Sequence, residues 1–492
     1  MDAPATDFDV LIIGAGISGI GAACHLSKRH PGRTFAILEG RDAIGGTWDL
    51  FRFPGIRSDS DLFTFGYQFK TWKSDRSIAA ADLILDYLHE TVAENDLERH
   101  IRFGHRVSAA SWSSDEARWT VTLDSGEQLT SRFLFAGTGY FDYEQGFTPQ
   151  FEGAEDFAGA VVHPQFWPQD LDYAGKRVVI IGSGATAVTI VPAMTGRAAH
   201  VTMLQRSPSY MLSLPGEDPI ANTLKRVIGV HRAYRVTRRK NVFMQRGIYK
   251  VSQRWPRFAR RVLMADAKRR LPKGYDVDTH FNPPYDPWDQ RMCLVPDGDL
   301  FEAISSGGAS VVTGRIDRFV PEGIRLTSGE VLEADVIVTA TGLNLLPFGR
   351  VALSVDGEPV DVPETTIFKS MMLSGVPNFV FAIGYTNASW TLKVDLVCEH
   401  MCRLLARMDE LDADTVVPVR GDEPIERRPL FNLSSGYVQR GSHLFPHAGD
   451  AGNWTLEMAY EADVERLRFG PVDAPELVFG SEVLVAAPEP VA

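Results

Sequence analysis

Residues Asp9 to Gly19 read Asp-Val-Leu-Ile-Ile-Gly-Ala-Gly-Ile-Ser-Gly, an apolar run that breaks into glycines at Gly14, Gly16 and Gly19. An apolar run ending in this glycine spacing spells a buried strand, a tight turn and the start of a helix, which Ala22, Cys24 and Leu26 continue. The next strand, Thr34 to Leu38, ends at Glu39, twenty residues after Gly19. Backbone N–H groups at the helix start, with neighbouring Ser18, hold a pyrophosphate. An acid at the distance of Glu39 accepts a ribose diol and repels a 2′-phosphate. This is a complete Rossmann unit suited to FAD. Lys176 to Ile190, KRVVIIGSGATAVTI, repeats it with Gly182, Ser183, Gly184, Ala185, Thr186, Ala187 and Val188. Its second strand, His200 to Leu204, runs into Gln205, Arg206 and Ser207. Arg206 stands where an acid would select NAD. A guanidinium beside a hydroxyl suits a phosphate dianion, so the expected second cofactor is NADPH; a surface arginine without a ligand is the competing reading.

Working outward, the fold class expected is α/β: two Rossmann-like dinucleotide-binding domains, the second inserted in the first, with a helical insertion. The chain of 492 residues, 44% hydrophobic, is long enough for two or three cores. A strand-rich stretch, Arg102 to Phe135, reaches Ala136-Gly-Thr-Gly139, and Asp335 to Thr339 reaches Ala340-Thr-Gly342. Small residues there let backbone pass close to a cofactor, so the domain crossings are placed at these turns. The expected division is 1–142 for the first part of the FAD domain, 143–215 and 285–340 for the NADP domain, 216–284 for a basic helical subdomain, 341–480 for the rest of the FAD domain and C-terminal region, and 481–492 for a disordered tail.

Four cysteines, Cys24, Cys293, Cys398 and Cys402, include no CxxC pair, which argues against a zinc ribbon or a flavin disulfide reductase; Cys398 and Cys402 read as core residues, and no metal is expected. No basic-then-apolar leader precedes Asp9 and no apolar run reaches the roughly 20 residues that cross a bilayer, so a cytoplasmic location is expected. The net charge of −13 argues against nucleic-acid binding. It hides a segment, Lys225 to Lys273, with 17 Lys or Arg against one acid, Asp266. Apolar residues there, among them Val236, Phe243, Tyr249, Trp255, Phe258 and Leu263, recur loosely at helical spacing. Two readings stand: a solvated face over the active-site entrance, or an amphipathic cationic helix with weak contact to an anionic membrane surface.

Residues 157 to 168 carry Phe157, Gly159, His163, Trp167 and Pro168 in the order FxGxxxHxxxWP. At about one in twenty per position, five such matches arise by chance in about one chain in ten thousand. The pattern resembles the fingerprint of the class B flavoprotein Baeyer–Villiger monooxygenases. Segments FRFPGIRSDSD, SGATAV, NPPYDPWDQR and GYTNASWTLK resemble most closely the actinobacterial FAD-containing monooxygenases that activate thioamides such as ethionamide. The resemblance implies that Gly46, Thr47 and Trp48, then Arg57 and Asp59, wrap the flavin, and that the backbone at Val107 meets the adenine. Phe53 stands where the family usually has tyrosine. Asp59 would orient the catalytic arginine, the alternative being a turn acid that caps the following helix.

Arg291 is the candidate catalytic residue. By the resemblance it stabilises a C4a-peroxyflavin that inserts one oxygen atom of O2 beside a ketone carbonyl to give an ester or lactone, and that also oxidises sulfides or thioamides. A guanidinium suits this because it stays charged and supplies no ready proton; a structural salt bridge to Asp59 or Asp289 is the alternative. Gln290 occupies the place of a family lysine that also holds the 2′-phosphate. The resemblance implies that His163 couples NADP binding to domain movement, the alternative being an ordinary loop histidine. The partners expected are O2 and a small ketone or sulfide. The competing functions are a flavin monooxygenase acting only on sulfur or nitrogen, and a non-catalytic binding protein.

Overall fold

A computed structural model describes residues 7–421, 425–431 and 433–480; the tail expected at 481–492 lies outside the described residues. The first glycine-turn strand, Phe8–Ile13, is the centre of a nine-stranded sheet, paired in parallel with Phe35–Leu38 and with Gln128–Ala136. Gln128–Ala136 uses its two ends differently. Its start pairs antiparallel with Arg118–Leu123, and its end pairs in parallel with Phe379–Phe381. Continuous apolar strands such as Val10 to Ile13 follow from burial on both faces. One face is covered by helices Ile17–Arg29, Ala81–Glu94 and Trp390–Leu411, whose apolar residues share one core with Val10 and Ile12. Cys24, Cys398 and Cys402 lie in that core.

The second glycine-turn strand, Arg177–Ile181, lies in a five-stranded parallel sheet in the order Ala309–Thr313, His200–Gln205, Arg177–Ile181, Val336–Thr339, Ala160–Val162. Both sheets thus place the glycine-turn strand between its partner strand and the strand that leads to a crossing turn. The likeness extends to single bonds. Gly14 N–H donates to Leu38 O at 2.8 Å, and Gly182 N–H donates to Leu204 O at 2.8 Å. A Cβ on Gly14 (φ +96°) would stand 2.9 Å from Gly137 O, and one on Gly182 (φ +145°) 2.4 Å from Ala340 O. Backbone therefore packs on backbone at both crossings, which is why Ala136-Gly-Thr-Gly139 and Ala340-Thr-Gly342 carry small residues.

The fingerprint segment contributes Ala160–Val162 as an edge strand of the second sheet. Phe157 packs at the edge of Phe319, ring centroids 6.4 Å apart, and Gly159 leaves no space for a side chain, its missing Cβ lying 2.3 Å from Asp335 O. Between residues 219 and 281 the chain is helical: Pro219–Ile228, Val230–Arg254, Pro256–Arg270 and Val277–Phe281. No helix among the described residues is long and apolar enough to cross a membrane.

Candidate active site

One cleft of about 1270 Å³ is lined by both glycine turns, by Glu39, Thr47, Trp48, Arg57, Asp59 and Val107, and by Ser183, Arg206, Ser207, Gln290 and Arg291. The topology requires this meeting. The two turns sit at the carboxyl ends of their parallel strands, where doubly wound sheets hold ligands, and the crossing turns bring those ends face to face.

At the first turn, Glu39 is 7% exposed and accepts from Ala15 N–H at 2.7 Å and Arg41 N–H at 3.0 Å. Burial raises its pKa, opposed by those two bonds. Gly19 does not reach the cleft. Its missing Cβ would lie 1.9 Å from Gly14 O, so its work is to let the helix close on the strand. Ser18 Oγ accepts from Trp390 Nε1 at 2.9 Å, and Trp390 stacks on Tyr140 with centroids 5.0 Å apart. Gly46 lines the cleft, Thr47 Oγ1 pairs with Tyr143 OH at 3.0 Å, and Trp48 meets Phe65 edge-on. Phe53 is buried beside Phe51. Arg57 is paired with Asp299, and its other terminal nitrogen, Nη2, is buried with no hydrogen-bond partner.

At the second turn, Gly182, Ser183, Gly184, Ala185 and Thr186 line the cleft. Ala187 and Val188, expected beside the cofactor, turn their side chains into the core of the second sheet, because one helical turn after Gly184 the chain has rotated away from the cleft. Among the described residues neither Arg206 nor the adjoining Arg315 is in an ion pair. Gln205 and Thr313 are register partners, so Arg206 and the Gly314-Arg315 step leave neighbouring strands side by side.

Between the turns, Arg291 Nη2 donates to Asp59 Oδ1 at 3.0 Å. Asp59 is not the helix cap. Asp61 takes that role, accepting from Thr64 N–H at 3.1 Å, which leaves the Asp59 carboxylate to the arginine. Asp59 first, then Tyr140, Tyr437 and Cys293, hold the Arg291 pKa above the usual guanidinium value against the effect of burial. The loop before it is constrained: Trp288 has φ +77°, its Nε1 is buried without a partner, and Asp289 O accepts from both Ser434 N–H (2.9 Å) and Ser434 Oγ (3.0 Å). Asp289 makes no ion pair with Arg291; the carboxylate paired with it is Asp59. Burial pushes the Cys293 thiol up to about 12, so it is protonated and no nucleophile.

His163 Nδ1 accepts from Gln165 N–H at 3.2 Å, which leaves Nε2–H to donate to Gly342 O at 3.2 Å. The ring thereby ties the fingerprint to the second crossing turn, and burial lowers its pKa. Trp167 packs on the core of the second sheet, and Pro168 O accepts from Leu171 N–H. Motif reading missed Tyr140, Arg41, Tyr143, Tyr437 and Arg315. Tyr140 follows the Gly139 turn and Arg41 follows Glu39, so position after a turn was the one available signal; Tyr437 and Arg315 had none.

The pyridine nucleotide-disulphide oxidoreductase family model matches residues 11–251, the span of both glycine turns. The chain is 51% identical over 475 residues to the FAD-containing monooxygenase EthA of Mycobacterium tuberculosis, covering 96% of this chain and 97% of that one. It is 50% identical over 476 residues to the enzyme of the same name from Mycolicibacterium smegmatis, covering 96% and 97%. Its fold is that of an oxidised steroid monooxygenase bound to NADP, with a TM-score of 0.76 at 21% identity, over 96% of this chain and 99% of that one. The chain belongs to the FAD-containing monooxygenases, the flavoprotein group that its motifs resemble.

Proposed function

We propose that this protein is an FAD-dependent, NADPH-consuming Baeyer–Villiger monooxygenase: a ketone, O2, NADPH and a proton give an ester or lactone, NADP+ and water. The observation that carries the reading is the Arg291–Asp59 pair in the one cleft shared by both glycine turns. The residues fit the two cofactors. Gly14 and Gly16 line the cleft with no side chain to fill it, and the Glu39 carboxylate keeps lone pairs for a ribose diol. Residues 1–142 and 341–480 would form the FAD-binding part, and 143–215 with 285–340 the NADP-binding part. Arg206, Ser207 and the adjoining Arg315 present two cations to a 2′-phosphate, which offsets Gln290 in the place of a lysine.

When bound, FAD passes the reducing equivalents of NADPH to O2. The chain's own task is to hold charge. Arg291 keeps a fixed positive charge, locked by Asp59, beside the oxygen being transferred, where negative charge develops. It has no proton to release at neutral pH. His163 is neutral and bonded at both nitrogens, so it positions the second unit rather than moving protons. Arg291 and Asp59 act on the transferred oxygen and not on its acceptor, so the proposal extends to sulfides and thioamides.

The test is a panel of linear, cyclic and aryl ketones with NADPH and with NADH, read by product mass on flavin-loaded protein. Esters formed faster with NADPH are expected. Flavin-loaded protein that consumes NADPH and O2 yet oxygenates no ketone would falsify the proposal.

A further inference from the structure

Three consecutive helices, Pro219–Ile228, Val230–Arg254 and Pro256–Arg270, are joined by the single residues Gly229 and Trp255. They are anchored by polar groups. On the middle helix the buried residues are Ala233, Tyr234, Thr237, Arg238, Asn241 and Ser252. The Arg238 guanidinium donates to the carbonyls of Phe63, Thr64 and Gly66 at 2.9, 3.1 and 2.7 Å. The first helix buries Ala221 but leaves part of its apolar side uncovered. The Lys225 ammonium turns inward, donating to Lys73 O at 3.3 Å, while Ile220 and Val227, one side of the same helix, stand in solvent at 57% and 74% exposure.

The apolar side chains that a core would claim point outward instead. Nine of the seventeen large apolar side chains exposed among the described residues fall between Ile220 and Val262. Val236, Phe243 and Val251 are spaced by seven and eight, hence on one side of the middle helix; Phe243 is 77% exposed. Trp255, Phe258 and Val262 carry the stripe onto the third helix. Cations flank it: Arg232, Arg235, Arg239, Lys250, Arg257 and Arg261 are exposed and, among the described residues, in no ion pair. A solvated face would be polar, and a soluble monomer rarely exposes such a concentration of large apolar groups.

We infer that these helices dock the protein on an anionic lipid bilayer, with the apolar stripe in the headgroup boundary and the flanking cations on lipid phosphates. Charge complementarity selects this occupant. A second copy of the chain would bring the same cations against themselves across a two-fold contact, and a nucleic acid offers no apolar phase for Phe243, Trp255 and Phe258. The docked face adjoins the cleft. Tyr249 packs edge-on against Trp288, centroids 5.4 Å apart, three residues before Arg291. Asn241 and Gln245 donate to Asp61 at 2.9 and 2.6 Å, two residues after Asp59. An apolar substrate dissolved in the bilayer would have a short path to the site; the docking itself stands apart from the reaction assigned above.

The test is sedimentation of the full-length, flavin-loaded protein with vesicles of phosphatidylcholine alone and of phosphatidylcholine containing phosphatidylglycerol. Binding to the anionic vesicles only is expected, reversed by salt. It should weaken about fivefold for each cation replaced among Arg235, Arg239 and Lys250, and be lost in the double variant Phe243→Asp, Trp255→Asp with flavin content unchanged. All of these side chains are exposed, and a Tm and flavin content equal to the parent's identify the variants that have folded. Protein that stays in the supernatant with both vesicles, or a double variant that pellets like the parent, overturns the inference. So does a dimer that the same double variant splits while the parent ignores lipid, or binding to duplex DNA that outlasts binding to vesicles.

Discussion

The Arg291–Asp59 pair permits a double-mutant cycle whose size follows from the geometry. At 3.0 Å, two unit charges attract by about 1.4 kcal/mol in the dielectric of water and about 5.5 kcal/mol at an effective dielectric near 20. The two side chains are 36% and 33% exposed, which puts the pair toward the screened end, about 1 to 2 kcal/mol. Asp59→Ala should therefore slow ester formation roughly five- to thirtyfold, by letting the guanidinium wander. Arg291→Ala removes the charge itself, and loss of one such prearranged donor slows a reaction about a hundred- to a thousandfold. If Asp59 acts only through Arg291, the double variant is no slower than Arg291→Ala. Product formation is followed by mass spectrometry, and flavin reduction by anaerobic bleaching with NADPH, which all three variants should keep within a few-fold. Two results would refute the reasoning: a normal product rate in Asp59→Ala, or a double variant slowed by the product of the two single effects.

Three further outcomes are expected. Arg206→Ala should raise the KM for NADPH about ten- to a hundredfold and leave that for NADH unchanged, the loss of one charge-assisted bond of about 1.5 to 3 kcal/mol; equal effects on both coenzymes would show that Arg206 does not meet the 2′-phosphate. Gly19→Ala forces a Cβ to within 1.9 Å of Gly14 O, an overpacking of about 1 to 3 kcal/mol, so Tm and retained flavin should both fall; a variant matching the parent in both would show that the helix has room to shift. His163 has a folded pKa below its ordinary 6.5, so its contribution to stability is present above that value and lost as pH falls through the folded pKa. The Tm difference between the parent and His163→Asn should be full at neutral pH and shrink on acidification; a difference that grows toward acid pH would reverse the assignment.

Local rules made both glycine turns, Glu39 and Arg206 legible in the sequence, because each needs only a strand, a turn and a fixed count of residues. What escaped depended on distant neighbours. Ala160-Val-Val162 becomes a strand only in register with Val336, Ile337 and Val338. Asp59 and Asp61 are alike in sequence, and which of them caps the helix is settled by Thr64 and Asn241. Ala187 and Val188 share the motif of the second turn yet face the core, a matter of helical phase. Tyr140 meets Trp390 across 250 residues, a contact with no local signal. The outward apolar face of the basic helices reverses the usual rule that such residues point into a core.

All four cysteines are buried, and burial pushes Cys24, Cys293 and Cys402 to about 12, with Cys398 well above its usual value. The thiolate is the form that oxidants attack. A catalyst that leaks hydrogen peroxide when its substrate is scarce would therefore find no ready thiolate on its own chain to convert to sulfenic acid, and idle turnover would spare its cysteines.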